Sequence, residues 1–240
     1  MDLSTAQKLI ALNRDFYQKF GADFSATRQK LQPGVTRILE TLQGDESILD
    51  LGCGNGGLAR SLAERQHHAA YLGLDFSRPP LADAESQPEG FSARFMEADL
   101  TQLSVISDQL SVTSDQWSVV TCFATLHHIP SKELRLQFLQ TVRTLLAPHG
   151  RFALSNWQFG NSAKLRGRVQ PWSRIGLADS EVDEGDSLLD WRRGGEGLRY
   201  VHQFSEGELG ELAQECGFHV TESFLSEGEG GNLGLYQIWE

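Results

Sequence analysis

Residues 48–57 read ILDLGCGNGG, an apolar run that passes through one acid into a glycine-rich loop. The residues that follow, LARSLAE at 58–64, favour a helix, so the pattern predicts a strand, a tight turn and a helix. Glycine lets the main chain approach a ligand closely, because no Cβ stands in the way. Ligands bind at the carboxyl ends of parallel strands, so the loop is predicted to be a binding site rather than a plain turn.

The acid ahead of the glycines narrows the kind of ligand. The spacing Asp-x-Gly-x-Gly-x-Gly differs from the Gly-x-Gly-x-x-Gly fingerprint of dinucleotide-binding proteins. Asp50 would repel an anionic pyrophosphate, whereas a cationic sulfonium ligand with an ammonium group would not be repelled. A dehydrogenase, although related in topology, is therefore disfavoured.

Two further acids stand at predicted strand ends. Asp75 closes the run AAYLGLD, and an acid there can accept hydrogen bonds from both hydroxyls of a ribose. Asp99 closes ARFMEAD, where it can accept from an exocyclic adenine amine while the Leu100 amide reaches the ring. Asp99 is equally suited to cap a helix.

Composition limits the partners of the chain. Hydrophobic residues make up 40% and charged residues 22% of 240 residues, which suits one α/β domain with a full core. The formal net charge of −11 disfavours non-specific binding to nucleic acid. Cys53, Cys122 and Cys216 lie far apart, so we expect no metal site, no disulfide framework and a reducing, cytoplasmic compartment. No apolar stretch approaches about 18 residues, so no membrane association is expected.

Strand-like runs alternate with helical stretches, which predicts a parallel sheet with helices on both faces. We expect a single domain in four parts: a helical cover at 1–44, a core with the glycine loop at 45–157, an insertion or lid at 158–204, and a terminal helix and hairpin at 205–240. The cover comprises a helix over 3–20 and a second helix that starts at Pro33 and runs to Leu42. A Ser-x-x-Glu capping box at Ser205 starts the terminal helix, and Gly217 ends it.

The segments LDLGCGNGG, GLDFS, ADL and VVTCFATLHHI resemble, in order and spacing, motifs I to IV of the class I S-adenosylmethionine-dependent methyltransferases. The resemblance covers residues 45–157 closely. It implies S-adenosylmethionine as cofactor and a doubly wound, mostly parallel, seven-stranded α/β sheet of Rossmann-like form, with an antiparallel terminal hairpin. Asp50 and the glycines would hold the methionine moiety, Asp75 the ribose and Asp99 the adenine. The residues that it implies at the cofactor are Asp50, Gly52, Cys53, Gly54, Asn55, Gly56, Asp75, Phe76, Asp99, Leu100, Cys122, Phe123 and Ala124.

Outside the core, FSATR, the pair HH, GDSLLDW and LRYVHQFSEGEL resemble the tRNA wobble-uridine carboxymethyl methyltransferases. This narrower resemblance implies methyl transfer to the carboxymethyl group of a modified uridine in the anticodon loop of tRNA. It also implies a set of substrate-pocket residues, which are Arg28, His127, His128, Asp186, Trp191, Arg199, Tyr200 and His202.

The chemistry of that reaction asks little of the protein. A carboxylate is already a nucleophile at neutral pH, so its esterification needs alignment and desolvation, and we assign no general base and no metal. Arg28 and Arg199 are best suited to hold the carboxylate, because an arginine can bind it through two parallel hydrogen bonds. Each could equally be a solvated surface charge. His127 and His128 either touch the substrate or pack in the core.

The segment Lys164–Arg174 is basic and lacks acids, Trp157 and Trp172 accompany it, and Arg192 and Arg193 extend it. Basic residues with aromatic rings suit a flipped-out base and its phosphates, whereas a solvated, mobile lid would have the same composition. The acceptor could also be a small carboxylate or another metabolite. The chain could instead be a catalytically silent cofactor-binding subunit, or it could depend on a small activating protein subunit.

Overall fold

The strands of the protein form two sheets in this computed structural model, which describes residues 1–26, 30–77, 81, 84, 91–110 and 116–240. Their bounds are β1 (Ile48–Leu51), β2 (Tyr71–Asp75), β3 (Ala93–Glu97), β4 (Trp117–Phe123), β5 (Leu146–Trp157), β6 (Val169–Gln170), β7 (Asp186–Trp191), β8 (Gly197–His202), β9 (Val220–Ser226) and β10 (Gly234–Trp239). The main sheet has seven strands in the order β3-β2-β1-β4-β5-β10-β9. Neighbouring strands from β3 to β5 are parallel, and β10 is antiparallel to both β5 and β9. The predicted seven-stranded sheet with a terminal hairpin is confirmed.

Helices cover both faces of this sheet. Their bounds are α1 (Leu3–Ser25), α2 (Pro33–Leu39), α3 (Gly57–Glu64), α4 (Leu103–Ile106), α5 (Lys132–Leu145), α6 (Ala163–Arg166) and α7 (Glu206–Glu215). On one face α5 and α7 bury Leu139 and Leu212 against the sheet, and on the other α2 and α3 bury Ile38 and Leu62. In the described part of the chain, no helix is both long and apolar enough to span a membrane.

Burial follows the position of each strand in the sheet. All four residues of β1 are buried, because β1 lies near the centre and is covered on both faces. The edge strand β9 instead alternates between exposed and half-buried residues. This difference explains why the continuous apolar run before the glycine loop is the clearest strand signal in the sequence.

The helix ends largely follow the sequence signals. The Ser205 hydroxyl accepts a hydrogen bond from the Glu208 amide at 3.1 Å, and Gly217, with φ of +76°, follows the end of α7. The Ser205 cap and the Gly217 end are confirmed, whereas the Glu208 side chain, the other half of the predicted capping box, contacts His202 and Arg135. The helix α1 extends to Ser25, beyond the expected end at residue 20, and α2 ends at Leu39 rather than Leu42.

The segment expected as an irregular insertion contains a second, antiparallel sheet of order β6-β7-β8. This sheet packs on α1 through an apolar cluster that includes Leu9, Leu188 and Tyr200. The Asn13 side chain accepts from the Tyr200 amide at 2.8 Å and donates to its carbonyl at 3.1 Å, as a neighbouring strand would. The N-terminal cover and the small sheet are thus joined.

Candidate active site

The glycine loop after β1 has the left-handed backbone conformations that its composition predicts. Gly52, Gly54 and Gly56 have φ of +85°, +54° and +70°, a region in which a Cβ is unfavourable. A Cβ on Gly52 would overlap the side chain of Thr125, so the close approach of this loop to the turn after β4 requires glycine. A Cβ on Gly54 would meet no atom within 4 Å, because Gly54 borders a cavity.

Asp50 lies buried beneath this loop and also borders the cavity. Its two carboxylate oxygens accept hydrogen bonds from the Tyr71 hydroxyl at 2.6 Å and from Thr121 Oγ1 at 2.7 Å. Burial raises the pKa of Asp50 to about 6, and the two hydroxyl donors oppose that rise. A cation bound beside Asp50 would favour its ionised form, which makes the site selective for a positively charged group.

Asp75 links the glycine loop to the end of β2. Its Oδ2 accepts from the Gly54 amide at 3.0 Å and its Oδ1 from the Ser77 amide at 2.9 Å. Burial raises the pKa of Asp75, while the bonds from the Ser77 and Gly54 amides oppose the rise. Each carboxylate oxygen keeps a second lone pair, so the oriented carboxylate can accept the two hydroxyls of a ribose.

Asp99 acts as a helix cap, the alternative that the sequence left open. Its Oδ1 accepts from the amide and the hydroxyl of Thr101, at 3.0 and 2.7 Å. Its Oδ2 pairs with Arg14 of α1 at 2.5 Å. Asp99 lines a smaller adjoining cavity together with Leu100, so its contact with adenine stays a prediction.

One cavity connects the loops after β1, β2 and β4 beneath the N-terminal cover. Most residues that the resemblance implies at the cofactor line it, namely Asp50, Gly52, Cys53, Gly54, Asn55, Asp75, Phe76, Leu100, Phe123 and Ala124. Among the described residues that were expected there, Gly56, Asp99 and Cys122 do not line it. Gly56 is the N-cap residue of α3. Cys122 points into the core, because successive strand residues face opposite sides of the sheet.

Arg28 is the only residue of the cover that the sequence patterns placed at the site, yet other residues of the cover line this cavity. The additional lining residues include Tyr17, Gly21, Lys30, Leu31, Gln32, Val35, Ser77 and Thr125. Tyr17 belongs to an aromatic stripe of α1 that is typical of ordinary core packing, so no local signal marks it. Among the described lining residues Lys30 is the only lysine or arginine, which suits a ligand without a pyrophosphate.

Tyr17, His128 and Arg199 form a cluster beside this cavity, which Arg199 itself does not line. Tyr17 and His128 line it, and the Tyr17 hydroxyl lies 2.8 Å from His128 Nε2. Arg199 Nη1 donates to the same hydroxyl at 3.4 Å. His128 Nδ1 donates to the Tyr200 carbonyl oxygen at 3.1 Å, which fixes the orientation of the ring. Three residues from α1, the turn after β4 and β8 thus converge, although they are distant in sequence.

Arg199 is enclosed by aromatic rings and is only 6% exposed. Its guanidinium carbon lies 4.9 Å from the ring centroid of Trp157, 5.5 Å from Phe16 and 5.8 Å from Trp191. Such contacts stabilise a cation away from water. Arg199 is therefore a buried charge beside the site, and the alternative of a solvated surface charge is wrong for this residue.

Of the remaining residues implied at the substrate, His127 and Trp191 pack against other parts of the protein. His127 is 2% exposed, and its Nδ1 accepts from the Trp157 amide at 3.4 Å, so it packs in the core while His128 reaches the cavity. Trp191 packs against Phe16 with ring centroids 5.8 Å apart and takes part in the aromatic enclosure of Arg199. Arg28 lies outside the described residues.

Asp186, Tyr200 and His202 belong to a buried hydrogen-bond network instead of lining the cavity. Asp186 Oδ1 lies 2.7 Å from both the Tyr200 hydroxyl and His202 Nδ1, and 3.5 Å from Arg135 of α5. Glu208 of α7 contacts His202 Nε2 at 2.9 Å and Arg135 at 3.3 Å. The network joins the small sheet to α5 and α7, so the structure gives these three residues a supporting position.

The basic segment after β5 is mostly exposed, as expected of either a docking surface or a lid. Lys164 and Arg166 are exposed on α6, and Arg192 is exposed while it pairs with Asp190 at 2.7 Å. Trp172, which was expected to interleave with these charges, is buried against Leu9 and Tyr200. Its ring is therefore unavailable for stacking on a base.

The donor set of the cavity fits S-adenosylmethionine. An acid lies under the glycine loop for its positive charge, Asp75 is oriented for its ribose, and open space at Gly54 admits a ligand close to the main chain. The sheet order and this donor set together are those of a class I, S-adenosylmethionine-dependent methyltransferase.

A family model described as a methyltransferase domain matches residues 24–223, and the chain belongs to that family. A solved S-adenosylmethionine-dependent methyltransferase from Methanosarcina mazei superposes with a TM-score of 0.65 at 24% identity, over 88% of this chain and 97% of that one. This likeness shows the fold.

Two curated relatives differ in what they act on. Ubiquinone biosynthesis O-methyltransferase of Aeromonas salmonicida is 34% identical over 111 residues, which is 45% of this chain and 42% of that protein. The tRNA (carboxymethyluridine(34)-5-O)-methyltransferase of Mus musculus is 26% identical over 143 residues, 59% of this chain and 19% of that protein. The matches thus span less than half the length of either relative, and they leave the acceptor open.

Proposed function

We propose that the enzyme transfers the methyl group to a carboxylate oxygen, and that Arg199 holds this carboxylate. The observation that carries the proposal is the buried guanidinium of Arg199, which is bonded to a hydroxyl that lines the cofactor cavity. An arginine suits this task, since its planar fork matches the two oxygens of a carboxylate.

The chemistry explains why a buried cation is sufficient. Bound S-adenosylmethionine supplies a methyl group on a positively charged sulfur, which a carboxylate oxygen attacks without prior deprotonation. The protein therefore has to orient the acceptor and keep water away. Arg199 orients the acceptor, because charge–charge interactions are stronger where solvent is excluded. The rings of Phe16, Trp157 and Trp191 keep water away from Arg199.

We propose the carboxymethyl group of a modified wobble uridine in tRNA as the acceptor. Trp157 is half-buried with Arg199 over its ring, and its exposed part would contact the base. The exposed side chains of Lys164, Arg166, Arg192 and Arg193 supply positive charge for phosphates on a chain that is acidic overall. The short motifs outside the core and the similarity to the mouse tRNA methyltransferase support the same acceptor.

A small carboxylate or another metabolite is the second candidate. The net charge of −11 opposes the approach of a polyanion, and the relative from Aeromonas salmonicida is named for ubiquinone biosynthesis. The cover formed by α1 and α2 also borders the cavity and restricts the room around the acceptor.

Methyl-labelled S-adenosylmethionine tests both candidates. The acceptors are tRNA that carries 5-carboxymethyluridine, the same tRNA without the modification, and a set of small carboxylates. We expect base-labile label only in the modified tRNA. Label confined to small carboxylates would favour the second candidate, and the absence of label from every carboxylate would overturn the proposal.

Variants of Arg199 test its role. Arg199→Lys keeps the charge but loses the fork, and Arg199→Met loses both, so we expect the KM for the acceptor to rise in that order. Arg143→Met is the matched control, because Arg143 also stacks on an aromatic ring, that of Phe218 at 5.3 Å, but is exposed in the last turn of α5. Calorimetric binding of S-adenosylmethionine to each variant shows whether the fold persists. An unchanged KM in a folded Arg199→Met protein would contradict the assignment.

A further inference from the structure

His128 carries a proton-accepting nitrogen at the cavity, which methyl transfer to a carboxylate does not require. A carbonyl oxygen only accepts hydrogen bonds, so the 3.1 Å contact with the Tyr200 carbonyl requires a proton on His128 Nδ1. In the neutral ring, Nε2 then bears the lone pair. That nitrogen lies 2.8 Å from the Tyr17 hydroxyl, and both side chains line the cavity.

The position of Tyr17 connects this nitrogen to the acceptor. Tyr17 can donate its proton to His128 Nε2 while its oxygen accepts from Arg199 Nη1 at 3.4 Å. The main-chain carbonyl of Tyr17 also accepts from Ser77 Oγ at 3.3 Å, which holds this turn of α1 beside the loop after Asp75. The hydroxyl of Tyr17 is thus fixed between a base and a cation at the wall of the cofactor cavity.

We propose that Tyr17 and His128 form a proton-accepting pair, and that the enzyme also methylates neutral hydroxyl acceptors such as phenols. This inference rests on the methyltransferase activity itself and is independent of whether tRNA is the carboxylate acceptor. It predicts a second class of acceptor for the same site.

Atoms and charges balance in the proposed step. The acceptor oxygen forms a bond to the methyl carbon, the bond between that carbon and sulfur breaks, and S-adenosylhomocysteine leaves. The acceptor O–H proton passes to the Tyr17 oxygen as the Tyr17 proton passes to His128 Nε2. The products are the methyl ether and an imidazolium, which returns its proton to solvent.

The groups that face His128 determine how readily it takes this proton. Tyr17 faces it from α1, and Arg199 of β8 acts through the Tyr17 hydroxyl. The His127 ring lies 4.3 Å away, centroid to centroid. The ion pair of Arg14 and Asp99 lines the adjoining cavity, which His128 also borders.

Two probe acceptors test the pair: catechol, a neutral hydroxyl acceptor, and benzoate, which has a carboxylate and no hydroxyl. With catechol we expect kcat to rise with pH to a plateau as the imidazole loses its proton. His128→Asn should lower the plateau about 100-fold or more and abolish this dependence. Tyr17→Phe should also lower the catechol rate, because it removes the oxygen that receives the proton. The rate with benzoate should fall less than about tenfold in His128→Asn.

His219→Asn is the matched control, because His219 is exposed and does not line the cavity; it should leave both rates unchanged. Binding of S-adenosylmethionine, measured by calorimetry, should stay within about threefold of wild type in all variants, which shows that the cofactor site persists. Equal losses with catechol and benzoate would mean that His128 positions the acceptor and does not accept its proton. That result would overturn the inference, as would a wild-type enzyme that methylates no hydroxyl probe. Neither outcome depends on the result with tRNA.

Discussion

Asp75→Asn is the sharpest test of how the cofactor site is built. The carboxylate accepts one hydrogen bond from the Gly54 amide at 3.0 Å and one from the Ser77 amide at 2.9 Å. Asparagine has a single carbonyl oxygen, so its amide group must face one of these two N–H donors. At least one hydrogen bond to a charged acceptor is then lost, which costs about 1.5–3 kcal/mol.

Both main-chain bonds exist without the cofactor, so their loss weakens the free and the bound protein alike. The predicted loss in binding comes from the ribose, whose hydroxyls would bond to a neutral amide in place of a charged carboxylate, a difference of about the same 1.5–3 kcal/mol. Since about 1.4 kcal/mol corresponds to a factor of ten, we expect the Kd for S-adenosylmethionine to rise about 10- to 150-fold. Asp75→Ala removes both bonds and should weaken binding further. The measurement is isothermal titration calorimetry with S-adenosylmethionine and with S-adenosylhomocysteine.

The control is Asp108→Asn, because Asp108 is exposed in the turn after α4 and does not line the cavity. It removes the same charge from the protein and should leave the Kd unchanged. A melting curve for each variant separates weak binding from unfolding. If folded Asp75→Asn bound the cofactor within about twofold of wild type, the link between this carboxylate and the cofactor would be refuted.

Three further predictions concern charge and backbone. Because the pKa of Asp50 is about 6, protonation at lower pH removes the charge that favours a cation. Affinity for S-adenosylmethionine should therefore fall below that pH in wild type but not in Asp50→Asn, and a flat wild-type profile would contradict this. Gly52→Ala, whose Cβ would overlap Thr125, should raise the Kd for the cofactor more than about tenfold. The control is Gly44→Ala, which also places a Cβ at a positive φ (+100°) but meets no atom within 4 Å. Equal effects of the two substitutions would exclude the clash with Thr125 as the cause. Burial lowers the pKa of His202, but its bonds to Asp186 and Glu208 outweigh burial and raise the pKa above 6.5. The charged His202 therefore stabilises the fold fully below pH 6.5, and this contribution to the free energy of unfolding is lost as the pH rises through the raised pKa. Melting temperatures should fall over that range in wild type and not in His202→Gln; parallel profiles would refute it.

Most residues of the cofactor site could be predicted, because the sequence patterns that indicate them are local. The run of β1 and its glycines occupy consecutive positions, and Asp75 ends the next strand of a parallel sheet. Neighbouring parallel strands bring their carboxyl ends to one edge, so their final residues meet without further information. The exceptions among the described cofactor residues are Gly56, Asp99 and Cys122, which do not line the cavity; the side chain of Cys122 points into the core. A strand end alone does not show which of two successive residues faces the ligand.

The residues that would contact the methyl acceptor could not be predicted in the same way. Asp186, Tyr200 and His202 have the residue types of a catalytic site, yet they satisfy one another and Arg135 inside the protein. Tyr17, by contrast, has the pattern of a core aromatic residue and lies at the cavity. Whether a polar side chain faces a ligand or an internal partner depends on which distant elements pack against it.

Local sequence was enough to specify the class I fold, the glycine loop and the two acids Asp50 and Asp75 that line the cavity, because each depends on residues adjacent in the chain or at successive strand ends. Tertiary packing selected which of His127 and His128 reaches the site, enclosed Arg199, and aligned Tyr17 with His128 and Arg199. These features depend on α1 and β8 packing together across the sequence, as the bond between Tyr17 and Arg199 spans 182 positions. Long-range packing of this kind leaves no local pattern, since the hydrophobic periodicity of α1 specifies a buried face but not its partner.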